Sequence, residues 1–265
     1  MEPNGAEPTK LSPLDYRLAT IILVVGILLR LPYLWEISQT PSFSRPIYDP
    51  EYNAYWARGL TTGDWTVPAG VNDPEIRTTP HGRPPGYPWF LAGVYLVFGV
   101  NDYAPRLAQM ALGLMSSLLM FYLGRSMFGR SVGFIAGLFM AMYWVFPYFE
   151  GLLTYPALAV FLLLCLFCVL RHWLAHPALR WTLAAGALLG AFALLRPNGL
   201  LFAPVLLVWL AWTGRRRAVG WRPLALRLAG VMLACVTVLA PAFIRNYVVA
   251  RDMVFISSYG GINLY

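Results

Sequence analysis

Residues 18–35, LATIILVVGILLRLPYLW, are apolar apart from one arginine, and they decide the class of fold. A run of this length lets an α-helix cross the roughly 30 Å hydrocarbon core of a bilayer. The segment before it is polar and no small-residue cleavage site follows it, so we predict a retained first span and not a signal peptide. Lys10 and Arg17 precede the run, which places the N-terminus in the cytoplasm.

The composition of the whole chain is also that of a membrane protein. Of its 265 residues, 58% are hydrophobic and 12% are charged, whereas soluble domains carry about a quarter charged residues. The net charge of +8 comes almost entirely from arginine and indicates cytoplasmic loops. No basic run is interleaved with aromatic residues in a polar setting, which argues against nucleic-acid binding. The three cysteines lie within apolar runs and imply no disulfide framework.

A chemically distinct loop follows the first span. Residues 36–102 contain seven of the twelve acidic residues of the chain. Asp49 and Pro50 predict the start of a helix, because Asp suits the N-cap and Pro the first helical position. We expect a short helix over residues 50–58 that ends at Gly59, then a turn at Gly63-Asp64-Trp65. Residues 66–86 are rich in Pro and Gly and should be irregular but ordered.

The apolar run at residues 87–99, YPWFLAGVYLVFG, decides the predicted topology. It is shorter than the roughly 20 residues of a spanning helix, so we predict an interfacial helix at the outer surface. Every short arginine-rich loop then lies in the cytoplasm. The chain is predicted to be an all-α polytopic membrane protein whose seven spans are residues 18–35, 103–123, 131–149, 152–170, 181–195, 199–213 and 224–243.

The sequence predicts a single transmembrane module over residues 1–265. Residues 36–102 form its extracytoplasmic loop, which contains the short interfacial helices, and the further spans occupy residues 103–243. Residues 245–265 are predicted to be an external tail. Because they stop in the middle of a loop, we expect an N-terminal fragment of a longer protein. The expected location is the cytoplasmic (inner) membrane, with the active site on its extracytoplasmic side.

Three acids are candidates for chemistry at the outer face. Asp49 lies just beyond a span and is placed to be a general base, although it could be only a helix N-cap. Glu51 could bind a ligand or could be a solvated first-turn acid favoured by the helix dipole. Glu150 is flanked by apolar spans, where an acid is costly unless it functions in a site or organises one.

Arginines predicted at the same face suit a lipid-linked phosphate, which guanidinium groups bind through two hydrogen bonds. Arg83 lies in a proline-rich segment that holds the backbone extended. Arg196 and Arg245 could bind phosphate, or they could only extend to the interface. The remaining candidate donor-binding residues are Tyr52, Arg58, His81, Tyr87 and Asn246. The sequence contains no Walker A loop, no HExxH and no GxSxG.

Several short motifs, taken together, resemble GT-C fold glycosyltransferases of the protein O-mannosyltransferase and aminoarabinose transferase superfamily, which is glycosyltransferase family 39-like. The resemblance extends over the chain from about residue 15. The motifs are Asp49-Pro50-Glu51-Tyr52, Trp56-Ala57-Arg58-Gly59, Gly63-Asp64-Trp65, Arg83-Pro84-Pro85-Gly86-Tyr87-Pro88, Phe149-Glu150-Gly151, Arg196-Pro197-Asn198, and Arg245-Asn246 with Ser257-Ser258-Tyr259-Gly260-Gly261.

The resemblance implies a GT-C-like bundle, a sugar donor on polyprenyl phosphate, and inversion at the anomeric carbon. By analogy, Asp49 is the general base and Glu150 is the second acidic position, which organises the site. Arg83, Arg196 or Arg245 would hold the departing phosphate. The acceptor is left open between protein, lipid and glycan. No obvious third ligand accompanies Asp49 and Glu51 in the sequence, so we assign no metal and no certain cofactor. Binding of a divalent ion is left as an open alternative.

Two other functions are compatible with the sequence. A transporter or flippase of lipid-linked sugars would need polar residues at the bilayer midplane and broken helices. The centres of the predicted spans are apolar, which favours chemistry at one interface. A non-catalytic membrane assembly subunit is the third reading.

Overall fold

A computed structural model describes residues 11–67, 73–217 and 219–258. All regular structure in these ranges is helical, which confirms the predicted all-α class. Lys10 and Tyr259-Gly260-Gly261 lie outside the described ranges. The helices are α1 (Pro13–Ser38), α2 (Pro41–Ser44), α3 (Asp49–Thr62), α4 (Gly86–Phe98), α5 (Tyr103–Phe128), α6 (Arg130–Met142), α7 (Val145–Gly151), α8 (Pro156–Ala175), α9 (Leu179–Leu195), a 3₁₀ turn (Pro197–Leu201), α10 (Phe202–Arg216) and α11 (Trp221–Ala250).

Five helical segments among the described residues are long and apolar enough to cross a membrane: α1, α5, α8, the 3₁₀ turn with α10, and α11. Together α6 and α7 would make a sixth span, bent by 46°. The chain is therefore polytopic, but the predicted count of seven is not reached. The difference is α9, whose 17 residues extend about 26 Å and fall short of the hydrocarbon core. Residues 245–250, predicted to begin an external tail, continue α11.

The loop helix α3 is longer than the sequence predicted. Gly59 does not end it; a Cβ there would overlap the Trp65 ring, so this glycine lets the following chain fold back onto the helix. The helix ends at Gly63, which takes a left-handed conformation with φ 74°. Tyr48 is the N-cap, and Asp49 is the first helical residue. The interpretation of Asp49 as an N-cap is therefore wrong.

The short helix predicted at residues 87–99 is confirmed as α4, with 13 residues. That it lies in the membrane interface stays a prediction. At Gly63-Asp64-Trp65 the chain leaves α3 through the left-handed Gly63 and brings Trp65 back against Gly59, although these residues form no regular turn. The described part of residues 66–86 before α4 contains only turns, bends and irregular backbone.

The described chain divides into two compact units, and the predicted single module stays a prediction. The first unit comprises the described residues up to Pro74 and Tyr87–Leu164. In it α1 packs against α5, α6 and α7, and α5 packs against α6. Glycines allow the last contact, since a Cβ at Gly133 would lie 2.6 Å from the carbonyl oxygen of Phe121.

One end of the first unit is fixed by a buried carboxylate. Asp15 is 1% exposed and forms a capping box with Ser12 at the start of α1. Its Oδ1 atom also accepts hydrogen bonds from Arg125 at 3.0 Å and from Arg130 at 2.8 Å. The N-terminal end of α1 therefore lies at the turn between α5 and α6.

The second unit comprises Glu75–Gly86 and the described chain from Cys165 onward. Its main contact joins α9 to α11. Two glycines spaced four residues apart on α9 allow the backbones to meet: a Cβ at Gly186 would overlap the carbonyl of Val231, and one at Gly190 would lie 2.8 Å from the carbonyl oxygen of Cys235. Such small-residue faces are typical of helix pairs within membranes.

Candidate functional site

A cavity of about 570 Å³ lies in the first unit, at the end of α1 opposite to Asp15. Tyr33 and Ile37 of α1 form one side of it. The chain from Thr40 to Pro50, which contains α2 and the start of α3, forms a second side, and the turn after α7 forms a third. The site therefore depends on elements that are far apart in the sequence.

Asp49 lies in the wall of this cavity and is exposed. The residue before it, Tyr48, has φ 60° and ψ −130°, a conformation that costs a non-glycine residue roughly 1–3 kcal/mol. This backbone sets the direction in which α3 starts, and so places Asp49, the first residue of that helix, in the cavity wall. Backbone strain of this kind is concentrated at functional sites.

Arg106 on α5 joins two walls of the cavity. It is 3% exposed and its guanidinium lies over the Phe43 ring, 3.9 Å from the centroid. Its Nη2 atom donates to the carbonyl of Phe43 at 2.8 Å, and its Nε atom donates to the carbonyl of Gly151 at 3.0 Å. Its Nη1 atom donates to the carbonyl of Asp102. Arg106 therefore ties the segment before α3 to the end of α7.

The third wall, residues 151–154, is held by side chains. Four successive carbonyl groups, those of residues 150–153, each accept a hydrogen bond from a side chain. Gln109 Nε2 donates to the first at 2.9 Å and to the third at 2.7 Å. Arg106 donates to the second, and Asn53 Nδ2 donates to the fourth at 2.9 Å. Because Asn53 belongs to α3, the helix that starts at Asp49 is attached directly to this turn.

Glu150, predicted as the second acid, forms a buried ion pair with Arg30. Each carboxylate oxygen accepts a hydrogen bond of 2.6 Å from the guanidinium. Arg30 Nη1 also donates to the carbonyl of Ala141 at 3.0 Å, near the end of α6 where carbonyls lose their helical partners. Glu150 is 1% exposed. It therefore fixes the end of α7, next to the turn that lines the cavity.

The other predicted residues of the first unit lie outside the lining of this cavity. Tyr52 packs edge-to-face on Trp56 with the centroids 5.8 Å apart, and Glu51 is half-buried in the first turn of α3. Arg58 donates to the carbonyl of Thr66 and pairs with Asp64 at 3.5 Å.

Two titratable residues of the first unit, Asp64 and Tyr87, have shifted pKa values. Hydrogen bonds from the side chain and N–H of Thr66 hold the pKa of the Asp64 carboxyl below its ordinary value. Tyr87 on α4 is 3% exposed, and its hydroxyl has no hydrogen-bond partner among the residues that the structure describes. Burial raises the pKa of Tyr87 well above its ordinary value, because the charged phenolate would be poorly solvated there.

In the second unit, two predicted residues bind backbone and not an open site. Arg245 donates to the carbonyls of Pro80 at 3.2 Å and Ile76 at 3.1 Å. Asn246 is 2% exposed and donates to the carbonyls of Val254 and Ile256.

The remaining predicted residues of that unit lie in loops. His81 contacts Asp252 through Nε2 at 2.9 Å and Ser258 through Nδ1 at 3.1 Å. Arg83 is half-buried before α4, and Arg196 is exposed at the end of α9. The structure thus brings Asp49 to the turn that follows Glu150. A shared site with the arginines of the second unit stays a prediction.

Sequence reasoning missed Arg106, Gln109 and Asn53. The first two lie three residues apart on one face of a mostly apolar span, and an ionisable residue inside a span is by default a functional candidate. That spacing was the signal available in the sequence. Among the described residues, no three His, Cys, Asp or Glu side chains come together as ligands for a metal.

Comparison with known families gives one match. The family model described as dolichyl-phosphate-mannose-protein mannosyltransferase matches residues 82–241, which is more than half of the chain. The matched range contains Arg83, Tyr87, Glu150 and Arg196, and it begins after Asp49. Searches of curated proteins and of solved structures found no match.

Proposed function

The chain belongs to the dolichyl-phosphate-mannose-protein mannosyltransferase family, and from this premise we propose that Asp49 is the general base of an inverting sugar transfer. As a member, the chain is an integral, multi-pass membrane glycosyltransferase whose donor is a polyprenyl-phosphate-linked sugar. The proposal adds the residue, the stereochemistry and the side of the membrane.

The proposed reaction is a single displacement. Asp49 accepts the proton of an acceptor hydroxyl, and that oxygen forms a bond to the anomeric carbon of the sugar. The bond from this carbon to the phosphate oxygen breaks, and its electron pair leaves with the polyprenyl phosphate. One displacement inverts the anomeric carbon. Among the three acids proposed for the outer face, only Asp49 both lines the cavity and is exposed, and this observation carries the assignment.

Glu150 is proposed as a positioning residue and not as a base. Both of its carboxylate oxygens bind Arg30, so it has little capacity to accept a proton from a substrate. Its contribution would pass through the end of α7 and the residues 151–154 turn. This assignment agrees with the organising role that the family resemblance gives to the second acid.

The extracytoplasmic location is supported by charge at the two ends of α1. Arg125 and Arg130 meet Asp15 at the N-terminal end, whereas the Asp49 cavity lies at the C-terminal end. Arginine-rich turns favour the cytoplasm, so the cavity should face the opposite side. An impermeant maleimide applied to intact cells should label Ile47→Cys and not Met127→Cys, two positions that are 58% and 60% exposed. Labelling of Met127→Cys alone would show that the protein has the opposite orientation in the membrane.

The transport alternative has one feature in its favour, the break between α6 and α7 beside a buried ion pair. Broken helices and intramembrane charges are common in transporters. Family membership supports transfer instead.

The test uses membranes from cells that express the full chain, with tritiated dolichyl-phosphate mannose as donor. The readout is label that becomes insoluble in lipid solvents. Asp49→Asn should lower transfer at least roughly a hundredfold, the usual contribution of a general base. The control is Glu36→Gln, an exposed acid on α1 outside the cavity, which should transfer like the wild type. Full transfer by Asp49→Asn would reject the base, and donor movement across the bilayer without a glycosidic bond would support a flippase.

A further inference from the structure

The inference concerns one end of the second unit, where the connection between α8 and α9 lies beside the start of α11. Arg227, in the second turn of α11, donates to the carbonyl of Pro177, which lies between α8 and α9, at 2.9 Å. A Cβ at Gly230 of α11 would lie 3.1 Å from Leu179, the first residue of α9. The span that ends with α10 is followed directly by the α11 span, so the connection between them should lie at a membrane surface.

The surface at this end of the second unit is strongly basic. The basic end, as we call it, consists of five exposed arginines: Arg180, Arg215, Arg216, Arg217 and Arg222. Residues 151–251 contain no aspartate or glutamate. The acids in the described part of the second unit lie near the other end of α11: Asp252 follows that helix, and Glu75 precedes Ile76, whose carbonyl binds Arg245. The positive charge of the basic end is therefore balanced from outside this unit.

Three arginines of the basic end lie over neighbouring tryptophan rings. The pairs, with the distance from the guanidinium carbon to the ring centroid, are Arg216 and Trp212 at 4.1 Å, Arg222 and Trp221 at 5.4 Å, and Arg180 and Trp181 at 5.1 Å. Trp212 and Trp221 are 53% and 74% exposed. Tryptophan is enriched at the depth of lipid headgroups, so these rings hold guanidinium groups at that depth. Contact with a ring face leaves the N–H donors of a guanidinium for a phosphate.

We propose that the basic end binds the headgroups of anionic phospholipids in the adjoining leaflet, with Arg216 and Arg222 as the main contacts. A guanidinium binds phosphate through two hydrogen bonds, and arginines at a membrane surface attract anionic lipids. The arginine-rich connections assign this leaflet to the cytoplasmic side. The exposed tryptophans favour lipid over an acidic partner protein, because they place the arginines at the depth of the headgroups. The inference does not depend on the proposed sugar transfer.

The test uses the full chain in a neutral maltoside detergent, with phosphatidylglycerol and phosphatidylcholine that carry the same fluorescent acyl chain. Energy transfer from the tryptophans of the protein to that chain measures binding. The wild type should bind phosphatidylglycerol at least roughly fivefold more tightly, since one arginine near an anionic surface contributes about that factor. Sodium chloride at about 1 M should remove most of this preference, because exposed charges are screened at that ionic strength.

A pair of double variants locates the binding site. Arg216→Gln with Arg222→Gln should weaken phosphatidylglycerol binding roughly fivefold or more. Binding of phosphatidylcholine should stay within about twofold of the wild type, which also shows that the variant is folded. The matched control is Arg77→Gln with Arg251→Gln, which removes the same charge from two exposed positions of the same unit, near the opposite end of α11. The control should keep the wild-type preference for phosphatidylglycerol.

Three results overturn the inference. The first is equal binding of the two lipids by the wild type, a measurement that needs no variant. The second is an equal loss of phosphatidylglycerol binding in the two double variants, because total charge and not the basic end would then attract the lipid. The third is tighter binding of inorganic phosphate or polyglutamate than of phosphatidylglycerol, which would assign the basic end to a soluble anion or to an acidic protein.

Discussion

Arg30 on α1 and Glu150 on α7, 120 residues apart in the chain, form a buried ion pair with two hydrogen bonds of 2.6 Å. Their side chains are 2% and 1% exposed. The pair lies at the break between α6 and α7, because Arg30 also binds the carbonyl of Ala141. It thus fixes the segment that leads into the Asp49 cavity.

Glu150→Gln should destabilise the protein by about 3–5 kcal/mol, because it leaves the Arg30 charge buried and uncompensated. The measurement is the free energy of unfolding in detergent by chemical denaturation. The double variant Arg30→Met with Glu150→Met should recover part of this loss, since it buries no charge. Equal stability of Glu150→Gln and the wild type would contradict the buried-pair assignment.

Gly113→Ala should disturb the same ion pair without touching either charge. A Cβ at Gly113 would overlap the Glu150 carboxylate, so Glu150 must move away from Arg30. The matched control is Gly93→Ala in α4, where a Cβ meets nothing within 4 Å and alanine should be neutral or stabilising by about 0.5–1 kcal/mol. We expect Gly113→Ala to lower both the melting temperature and transfer, and similar melting of the two variants would refute the crowding argument.

Arg106→Lys should lower transfer even though the substitution keeps the positive charge. Lysine cannot reproduce the planar fork that reaches the carbonyls of Phe43, Asp102 and Gly151. The carbonyls of Phe43 and Gly151, the two of these residues that line the cavity, would each lose a charged hydrogen-bond donor. Each lost bond should lower the free energy of unfolding by about 1.5–3 kcal/mol. Transfer of labelled mannose and thermal unfolding measure the two effects. Arg17→Lys, at an exposed position on α1, should leave both unchanged.

Gly186→Ala should separate α9 from α11, because the added Cβ would overlap backbone at Val231, which cannot rotate away. Such overpacking typically destabilises by about 1–3 kcal/mol. Gly93→Ala again serves as the control. The loss of stability should appear in the second unit, and it is measured as increased protease sensitivity of α9 and α11. Unchanged sensitivity would mean that the close packing of these helices is not needed for stability.

Asn246→Ala should release the chain that follows α11. The Asn246 amide holds the carbonyls of Val254 at 2.8 Å and Ile256 at 3.2 Å. Leaving buried carbonyls without donors costs about 1–3 kcal/mol each. Hydrogen exchange should accelerate over residues 252–258 while the centre of α11 stays protected. Uniform exchange throughout the second unit would indicate global destabilisation instead.

Much of the helical architecture could be predicted from the sequence, because hydropathy and helix signals are local. The apolar run at residues 87–99 predicted α4 closely. The end of α3 was misplaced, because Gly59 serves a packing contact with Trp65 and Gly63 supplies the left-handed end. The span count failed at α9, where a helix of intermediate length gives no local signal of whether it crosses the membrane.

The sequence by itself determined that this chain is a helical membrane protein, that its acids cluster in the first long loop, and that Asp49 stands at a helix start. Those properties follow from composition and short-range patterns. Only the tertiary structure decided which partner each buried polar group takes: Glu150 binds Arg30, and Arg106, Gln109 and Asn53 bind the turn opposite Asp49. Pairings between residues so far apart in sequence depend on how helices pack, and no local pattern encodes them.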